Sequence, residues 1–133
     1  MNVGLIGCGG IANAHMEVLG RIKNARVAAV CDLNLKRAKD IARRFNVKKT
    51  YTDYNELLSD EKLDLVDICT PVSTHAHIAC DVAKVVSAIF LEKPMAINLH
   101  ECDEIVQTMK KYGTKLCVGH NQYSILQFKK PRR

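Results

Sequence analysis

The sequence predicts an α/β fold with a doubly wound, mostly parallel sheet of six strands. Short runs of apolar, often β-branched residues alternate along the chain with longer segments of helical period, which is the pattern of βαβ units. The strand candidates are apolar nearly throughout, as expected of strands that are buried on both faces of a sheet. These candidates are residues 2–6, 25–31, 49–51, 65–69, 88–91 and 115–118.

The helices between these strands carry start signals and apolar faces. Asn98 precedes a helical segment and is followed three residues later by Glu101, the spacing of a capping box, and Asp53 with Glu56 repeats it. The faces expected to pack on the sheet are Leu35, Ala38, Ile41, Ala42 and Phe45 in one helix and Leu99, Cys102, Ile105, Val106 and Met109 in another.

Length and composition indicate one globular domain. We place it at residues 1–128, followed by a basic tail at 129–133, because 133 residues suit a single core and no linker is visible before the tail. No apolar run is long enough to span a bilayer, and the apolar start lacks a basic leader. We therefore expect no membrane contact and a cytoplasmic location.

The formal charge of +6 is concentrated at the end of the chain. Four basic residues lie in the tail: Lys129, Lys130, Arg132 and Arg133. A basic patch can bind nucleic acid, but the sequence has no helix-turn-helix, zinc-finger or RNP pattern to present one. We expect a solvated terminus and no nucleic-acid partner.

The six cysteines are widely spaced and include no C-x-x-C pair. Several lie inside strand candidates, where a thiol behaves as a small buried hydrophobe. We expect reduced structural thiols and no metal site. His75 and His77 do not change this expectation, because no further ligand cluster lies near them in sequence.

A glycine-rich turn follows the first strand candidate, with the sequence Gly7-Cys8-Gly9-Gly10-Ile11-Ala12. This is a G-x-G-x-x-A form of the dinucleotide fingerprint of Rossmann folds, in which the first glycine permits the turn and the second lets the backbone approach a diphosphate. The diphosphate would then lie on the free N–H groups of the helix that starts near Gly10 and Ile11. Such a turn can also serve only as a turn.

Asp32 directly follows the second strand candidate, about 20 residues beyond Ala12. A carboxylate at this place accepts hydrogen bonds from the adenine-ribose hydroxyls and repels a 2′-phosphate, so Asp32 and its neighbour Leu33 predict NAD rather than NADP. Lys36 and Arg37 leave a route to NADP. The alternative is that Asp32 only caps the following helix, although Asn34 is available for that.

Three further segments follow strand candidates: Cys69-Thr70-Pro71 with His75, Glu92-Lys93-Pro94, and Gly119-His120-Asn121. Together with the glycine turn, and in this order, they resemble the glucose-fructose oxidoreductase and inositol dehydrogenase family, Gfo/Idh/MocA, over residues 1–128. The resemblance implies that the nicotinamide half of the cofactor borders these segments. The contacts so implied are Thr70, Pro71, His75, Glu92, Lys93 and Asn121.

The resemblance assigns the chemistry to Lys93. In the family, the matching lysine holds a substrate hydroxyl or the nicotinamide ribose and assists proton movement during hydride transfer. The resemblance also suggests a cis bond before Pro94. The alternatives are a solvated lysine at a turn and, for His75, a residue that simply begins a helix.

The sequence departs from the family at several places. Val86 stands where the family has a glycine that ends a helix in the left-handed region, so this loop must take another path. Tyr123 and Ser124 replace an arginine and an aromatic residue after Asn121. The family's second α/β domain, which contributes most substrate contacts, is absent from these 133 residues.

Two functions remain open from the sequence. The first is the NAD-binding part of a sugar or polyol dehydrogenase, incomplete as an isolated chain, and the second is a non-catalytic NAD(H)-binding sensor or regulatory module. Because apolar surface beside the last strand would be uncovered without a second domain, we expect a homodimer or a separate chain that carries the substrate domain.

Overall fold

The computed structural model describes residues 1–119. Its strands are β1 (Asn2–Ile6), β2 (Arg26–Cys31), β3 (Lys49–Tyr51), β4 (Leu65–Ile68), β5 (Ala88–Glu92) and β6 (Lys115–Gly119). Its α-helices are α1 (Gly10–Arg21), α2 (Leu35–Phe45), α3 (Tyr54–Asp60), α4 (His75–Ala83) and α5 (Leu99–Tyr112), with a short 3-10 turn at Val72–Thr74. The predicted strands are confirmed, and their ends differ by one residue at most.

The six strands form one sheet in the order β3-β2-β1-β4-β5-β6. Every pair of neighbouring strands in it is parallel, so the predicted doubly wound sheet is confirmed and is parallel throughout the described residues. The chain moves outward from β1 to β3 and then returns to β4 on the other side of β1. The carboxyl ends of β1 and β4 therefore form the switch point, where open α/β sheets bind ligands.

The helices cover the sheet from both sides and enclose two apolar cores. One core packs α1 and α2 against β1 and β2 around Leu5, Met16, Val30 and Ile41. The other packs α4 and α5 against β4 and β5 around residues that include Ile68, Val82, Leu91 and Ile105. No helix among residues 1–119 is long and apolar enough to cross a membrane.

Parts of the predicted helix faces are wrong. Leu35 and Leu99 are 44% and 82% exposed, because each is the first residue of its helix, and Val106 is 40% exposed. The predicted cap at Asn98 is confirmed, since its Oδ1 accepts a hydrogen bond from the Glu101 N–H at 2.9 Å. Asp53 also caps its helix, but through the N–H of Asn55 rather than of Glu56.

The connection from α4 to β5 avoids the left-handed region, as the valine at position 86 requires. Among the described residues other than glycine, only Asn46 has a positive φ. Val86 is buried, and its N–H donates to the Val82 carbonyl at 3.2 Å. The buried Thr114 hydroxyl lies 2.7 Å from the Ala83 carbonyl and 3.3 Å from that of Val86, so a side chain from the α5–β6 loop supplies the donor at the end of α4.

Candidate dinucleotide site

Four of the predicted segments meet at the carboxyl ends of the central strands. The glycine turn is bonded on both sides: the Gly7 N–H donates to the Cys31 carbonyl at 2.8 Å, and the Cys69 N–H donates to the Ile6 carbonyl at 2.8 Å. Register places Glu92 at the end of β5, beyond the Ile68–Leu91 pair. Asn121 lies outside the described residues.

The backbone conformation and packing of the first turn require a glycine at position 7, whether or not a ligand is bound. Its φ of +98° lies in the region that favours glycine, and a Cβ at this position would lie 2.6 Å from the carbonyl carbon of Cys69 and 2.8 Å from the nitrogen of Thr70. Because both atoms belong to the backbone, they cannot move aside as a side chain would. Gly7 thus lets the first turn pack directly against the end of β4.

Gly9 and Gly10 border open space instead. A Cβ at either position would meet no heavy atom within 4 Å. Gly9 is the N-cap of α1, no side chain caps this helix, and its first turn has no acidic residue. The free N–H groups and the positive end of the helix dipole therefore face a space that an anion can enter. The residues present fit a diphosphate at this point.

Cys8 faces into the protein. Its N–H donates to Asp32 Oδ2 at 2.8 Å, so this donor is already engaged. Burial, with a contribution from the Asp32 charge, raises the pKa of the Cys8 thiol to about 12. The thiol therefore stays neutral at physiological pH and adds no negative charge to the glycine turn.

Asp32 connects the end of β2 to the glycine turn. Besides the bond from Cys8, its Oδ1 accepts a hydrogen bond from the Asn34 N–H at 2.8 Å. The cap of α2 is Asn34, whose side chain accepts from the Arg37 N–H at 3.3 Å. The alternative that Asp32 caps the following helix is therefore wrong. Leu33 beside it is 93% exposed.

A cleft of about 380 Å³ opens beside the glycine turn. Gly9 and Gly10 line one side, and Arg37 and Arg44 of α2 line the other. The Arg44 guanidinium is hydrogen-bonded to the side chain of Asn13 on α1. Arg44 could not be predicted from the sequence, because motif spacing does not indicate how two helices lie relative to each other.

His75 joins two of the predicted segments. It is 1% exposed, its Nδ1 lies 2.9 Å from the Pro94 carbonyl, and its Nε2 lies 2.8 Å from the Thr70 carbonyl. It also begins α4, so the two roles considered for it are not exclusive. Direct contact between His75 and a cofactor stays a prediction.

The turn after β5 presents Lys93 to solvent. Lys93 is exposed, and the Lys93–Pro94 bond is cis, as the resemblance suggested. Glu92, the residue before it, is turned inward: its Oε2 lies 2.8 Å from Nε2 of His15. This carboxylate oxygen is thus already engaged within the protein.

A buried ion cluster behind this turn was not predicted. His15 is 4% exposed, and its Nδ1 lies 2.8 Å from Asp67 Oδ2 while its Nε2 faces Glu92. Burial alone would lower the pKa of His15, but the hydrogen bonds and charges of Asp67 and Glu92 outweigh it and raise this pKa. Asp67, an acidic residue inside an otherwise apolar strand, was the one signal in the sequence.

The cluster does not have the spacing of a metal centre. Cys69 approaches it, with Sγ 3.4 Å from His15 Nδ1 and 3.4 Å from Asp67 Oδ1. However, His15 Nδ1 and Asp67 Oδ2 are in direct hydrogen-bond contact at 2.8 Å, whereas ligands of a tetrahedral zinc lie about 3.3 Å apart. Burial also raises the pKa of the Cys69 thiol, which disfavours the thiolate that a metal requires.

Comparison with known proteins agrees with this geometry. The family model described as the GFO_IDH_MocA oxidoreductase family, NAD-binding Rossmann fold, matches residues 1–120. The myo-inositol 2-dehydrogenase of Thermotoga maritima is 33% identical over 130 residues, which are 98% of this chain and 39% of that protein. The uncharacterized oxidoreductase YrbE of Bacillus subtilis is 33% identical over 96% of this chain and 37% of its own length.

Solved structures of oxidoreductases are also similar to this chain, and again over only part of their length. An oxidoreductase from Agrobacterium radiobacter, in complex with NAD⁺, L-tartaric acid and magnesium, superposes with a TM-score of 0.87 and 32% identity, over 92% of this chain and 36% of that one. A probable dehydrogenase from Thermotoga maritima superposes with a TM-score of 0.87 over 97% of this chain and 39% of its own. The chain thus spans well under half the length of the relatives that it matches.

Proposed function

Since the chain belongs to the Gfo/Idh/MocA oxidoreductase family and forms its NAD-binding Rossmann domain, we propose that it is the cofactor half of a dehydrogenase that oxidises a sugar or polyol hydroxyl. The observation that carries the proposal is the open space over Gly9 and Gly10 at the switch point of the sheet. Bound NAD would supply the hydride acceptor. The residues of this chain bind and orient it.

Two elements are proposed to hold the adenosine diphosphate half. Residues Gly9, Gly10 and Ile11 offer free helix N–H groups to the diphosphate. Asp32 and Leu33 lie at the adenine ribose. Each oxygen of Asp32 accepts one bond from the main chain and keeps a further lone pair for a ribose hydroxyl.

The turns after β4 and β5 are proposed to hold the nicotinamide half and the reacting hydroxyl. Thr70 and Pro71 follow β4, and the exposed ammonium of Lys93 follows β5 on the same edge of the sheet. A cation at this place can bind the substrate oxygen and assist removal of its proton as the hydride leaves. Lys93 is therefore the proposed catalytic residue.

One assay, the formation of NADH in the presence of a substrate, distinguishes a dehydrogenase from a non-catalytic NAD(H)-binding sensor. Both functions require NAD(H) binding, but only a dehydrogenase forms NADH in the presence of a substrate. NADH formation from a sugar or polyol by this chain, alone or with a chain that carries the substrate domain, would exclude the sensor. NADH binding without any such turnover would favour it.

Asp32→Ala is expected to weaken NADH binding about tenfold or more, since it removes the ribose acceptor and two bonds that hold the turn. Titration calorimetry with NADH and NADPH measures this. The unchanged protein should bind NADH more tightly than NADPH, and the preference should shrink in the variant. Asp103→Ala, which removes an exposed carboxylate on α5, is the matched control. Equal NADH affinity in all three proteins would contradict the assignment.

Self-association is also part of the proposal. An apolar trough of about 360 Å³ lies between α1 and the strands β5 and β6, lined by Val18, Ile22, Phe90, Leu116 and Cys117 among others. It adjoins β6, which is at one edge of the sheet formed by residues 1–119. Strands of a parallel sheet are normally covered on both faces, and a second copy of the chain can cover this one. A cytoplasmic location is proposed as well, because all six cysteines are free.

Cys117→Lys is expected to dissociate the dimer, because it places a charge in the apolar trough beside the edge strand. Sedimentation velocity over a range of concentrations checks this. Lys110→Ala, on the exposed side of α5, should leave the dimer unchanged. A monomer at high concentration for the unchanged protein would argue against self-association.

A further inference from the structure

We propose that His15 is a positioning residue for Lys93: its bond to Glu92 sets where the Lys93 ammonium meets the nicotinamide half of bound NAD. This inference rests on the proposed function, because it concerns the placement of the nicotinamide half. It assigns a role to a histidine that lies outside every motif considered in the sequence.

His15 connects three elements that carry the proposed site. It belongs to α1, the helix that begins at the glycine turn. Its Nδ1 bonds Asp67 in β4, just before the Cys69-Thr70-Pro71 segment, and its Nε2 bonds Glu92, the last residue of β5. The His15 ring therefore links the helix at the proposed diphosphate site to the ends of the two strands at the proposed nicotinamide site.

The ring has little freedom to move. It is 4% exposed, and the ring of Phe90 packs against it edge-on, with centroids 5.5 Å apart and an interplanar angle of 70°. Each ring nitrogen lies 2.8 Å from a carboxylate oxygen. The protonated ring donates to both carboxylates, and such charge-assisted bonds are strong in a poorly hydrated setting. If the Glu92 carboxylate moved away, it would leave a buried cation with only one partner, which is costly.

The residue that follows Lys93, Pro94, is held by a second buried histidine. The Pro94 carbonyl is 2.9 Å from Nδ1 of His75, a ring that is itself 1% exposed. Two buried histidines thus fix the residues immediately before and after Lys93. The side chain of Lys93, between these two anchored residues, is exposed to solvent.

Two substitutions at position 15 distinguish the hydrogen bond to Asp67 from the hydrogen bond to Glu92. The amide nitrogen of asparagine has the reach of Nδ1, so His15→Asn keeps the bond to Asp67 and loses the bond to Glu92. The amide nitrogen of glutamine has the reach of Nε2, so His15→Gln keeps the bond to Glu92. Binding of NADH and of ADP-ribose, which lacks the nicotinamide half, is measured by calorimetry for the 133-residue chain and both variants.

The unchanged protein should bind NADH more tightly than ADP-ribose. His15→Asn is expected to lower NADH affinity about tenfold and to leave ADP-ribose affinity within a factor of about two, while His15→Gln keeps most of the preference for NADH. His77→Asn, at an exposed histidine of α4, is the control for the substitution itself.

Several results would overturn the inference. If His15→Asn weakens both ligands equally, or binds neither, His15 supports only the fold. If it binds NADH like the unchanged protein, or if the unchanged protein binds both ligands equally, the Glu92 bond does not position Lys93. An unchanged protein that binds neither ligand refutes the proposed function itself, which is a distinct result.

Discussion

Gly7→Ala is expected to lower the free energy of unfolding by about 3 kcal/mol, and Gly9→Ala is expected to leave it unchanged while NADH affinity falls about tenfold or more. Alanine at position 7 would combine a φ of +98° with a contact of 2.6 Å to backbone atoms of Cys69. The conformational strain costs about 1–2 kcal/mol, and the overpacking adds about 1–3 kcal/mol. Urea unfolding measures the difference directly.

Gly9 is the matched position in the same turn. Its φ of −74° and ψ of −168° suit alanine, and the added methyl group would point into open space. That space is where the diphosphate would lie, so the methyl group should lower NADH affinity tenfold or more, on the order of 1.4 kcal/mol. Unchanged NADH affinity for Gly9→Ala would mean that the ligand does not approach this turn. An equal loss of stability for both variants would contradict the different roles of the two glycines.

The second large effect is a fall in the free energy of unfolding as the pH rises above about 6.5. The folded protein raises the pKa of His15, so the folded state retains a proton that the unfolded chain releases near pH 6.5. The stabilisation is therefore complete below about pH 6.5 and is lost as the pH passes through the raised value. The slope approaches about 1.4 kcal/mol per pH unit where only the folded state is protonated.

Urea unfolding of the unchanged protein and of His15→Gln across this range tests the assignment. The variant should be less stable and should show a much flatter profile. His100→Gln removes an exposed histidine that faces Glu104 at 3.6 Å and should keep the full slope. The lowered pKa values of Asp81 and Glu61 act at acid pH, since their contributions are lost as the pH falls through those values. A flat profile for the unchanged protein would show that His15 does not hold its proton on folding.

Much of the fold could be predicted from the sequence because its signals are local. Strands buried on both faces produce continuous apolar runs, and their alternation with helical segments fixes the parallel architecture. The glycine turn and Asp32 could also be predicted from the sequence, since both lie at fixed distances from the ends of strands. Gly7 and Gly9 look alike in the motif, however, and only the structure shows that one packs on β4 and the other faces open space.

The contacts that escaped prediction are those between residues far apart in sequence. His15 lies 52 residues from Asp67 and 77 from Glu92, and a histidine on an amphipathic helix gives no sign of its partners. The hydroxyl of Thr114 contacts the carbonyl of Ala83 at the end of α4, 31 residues earlier in the chain. The predicted burial of Leu35 and Leu99 is wrong for another reason, since both follow the apolar period but lie in the first turns of their helices.

The separation of His15 from Glu92 also affects the order in which the domain is assembled on the ribosome. The first three strands and both helices between them are synthesised before β4 and β5, the strands that provide the partners of His15. Until residue 92 has emerged, the nascent chain holds a histidine whose second carboxylate does not yet exist. Because the glycine turn itself packs against Cys69 at the end of β4, both halves of the proposed site are completed only when the second half of the sheet docks.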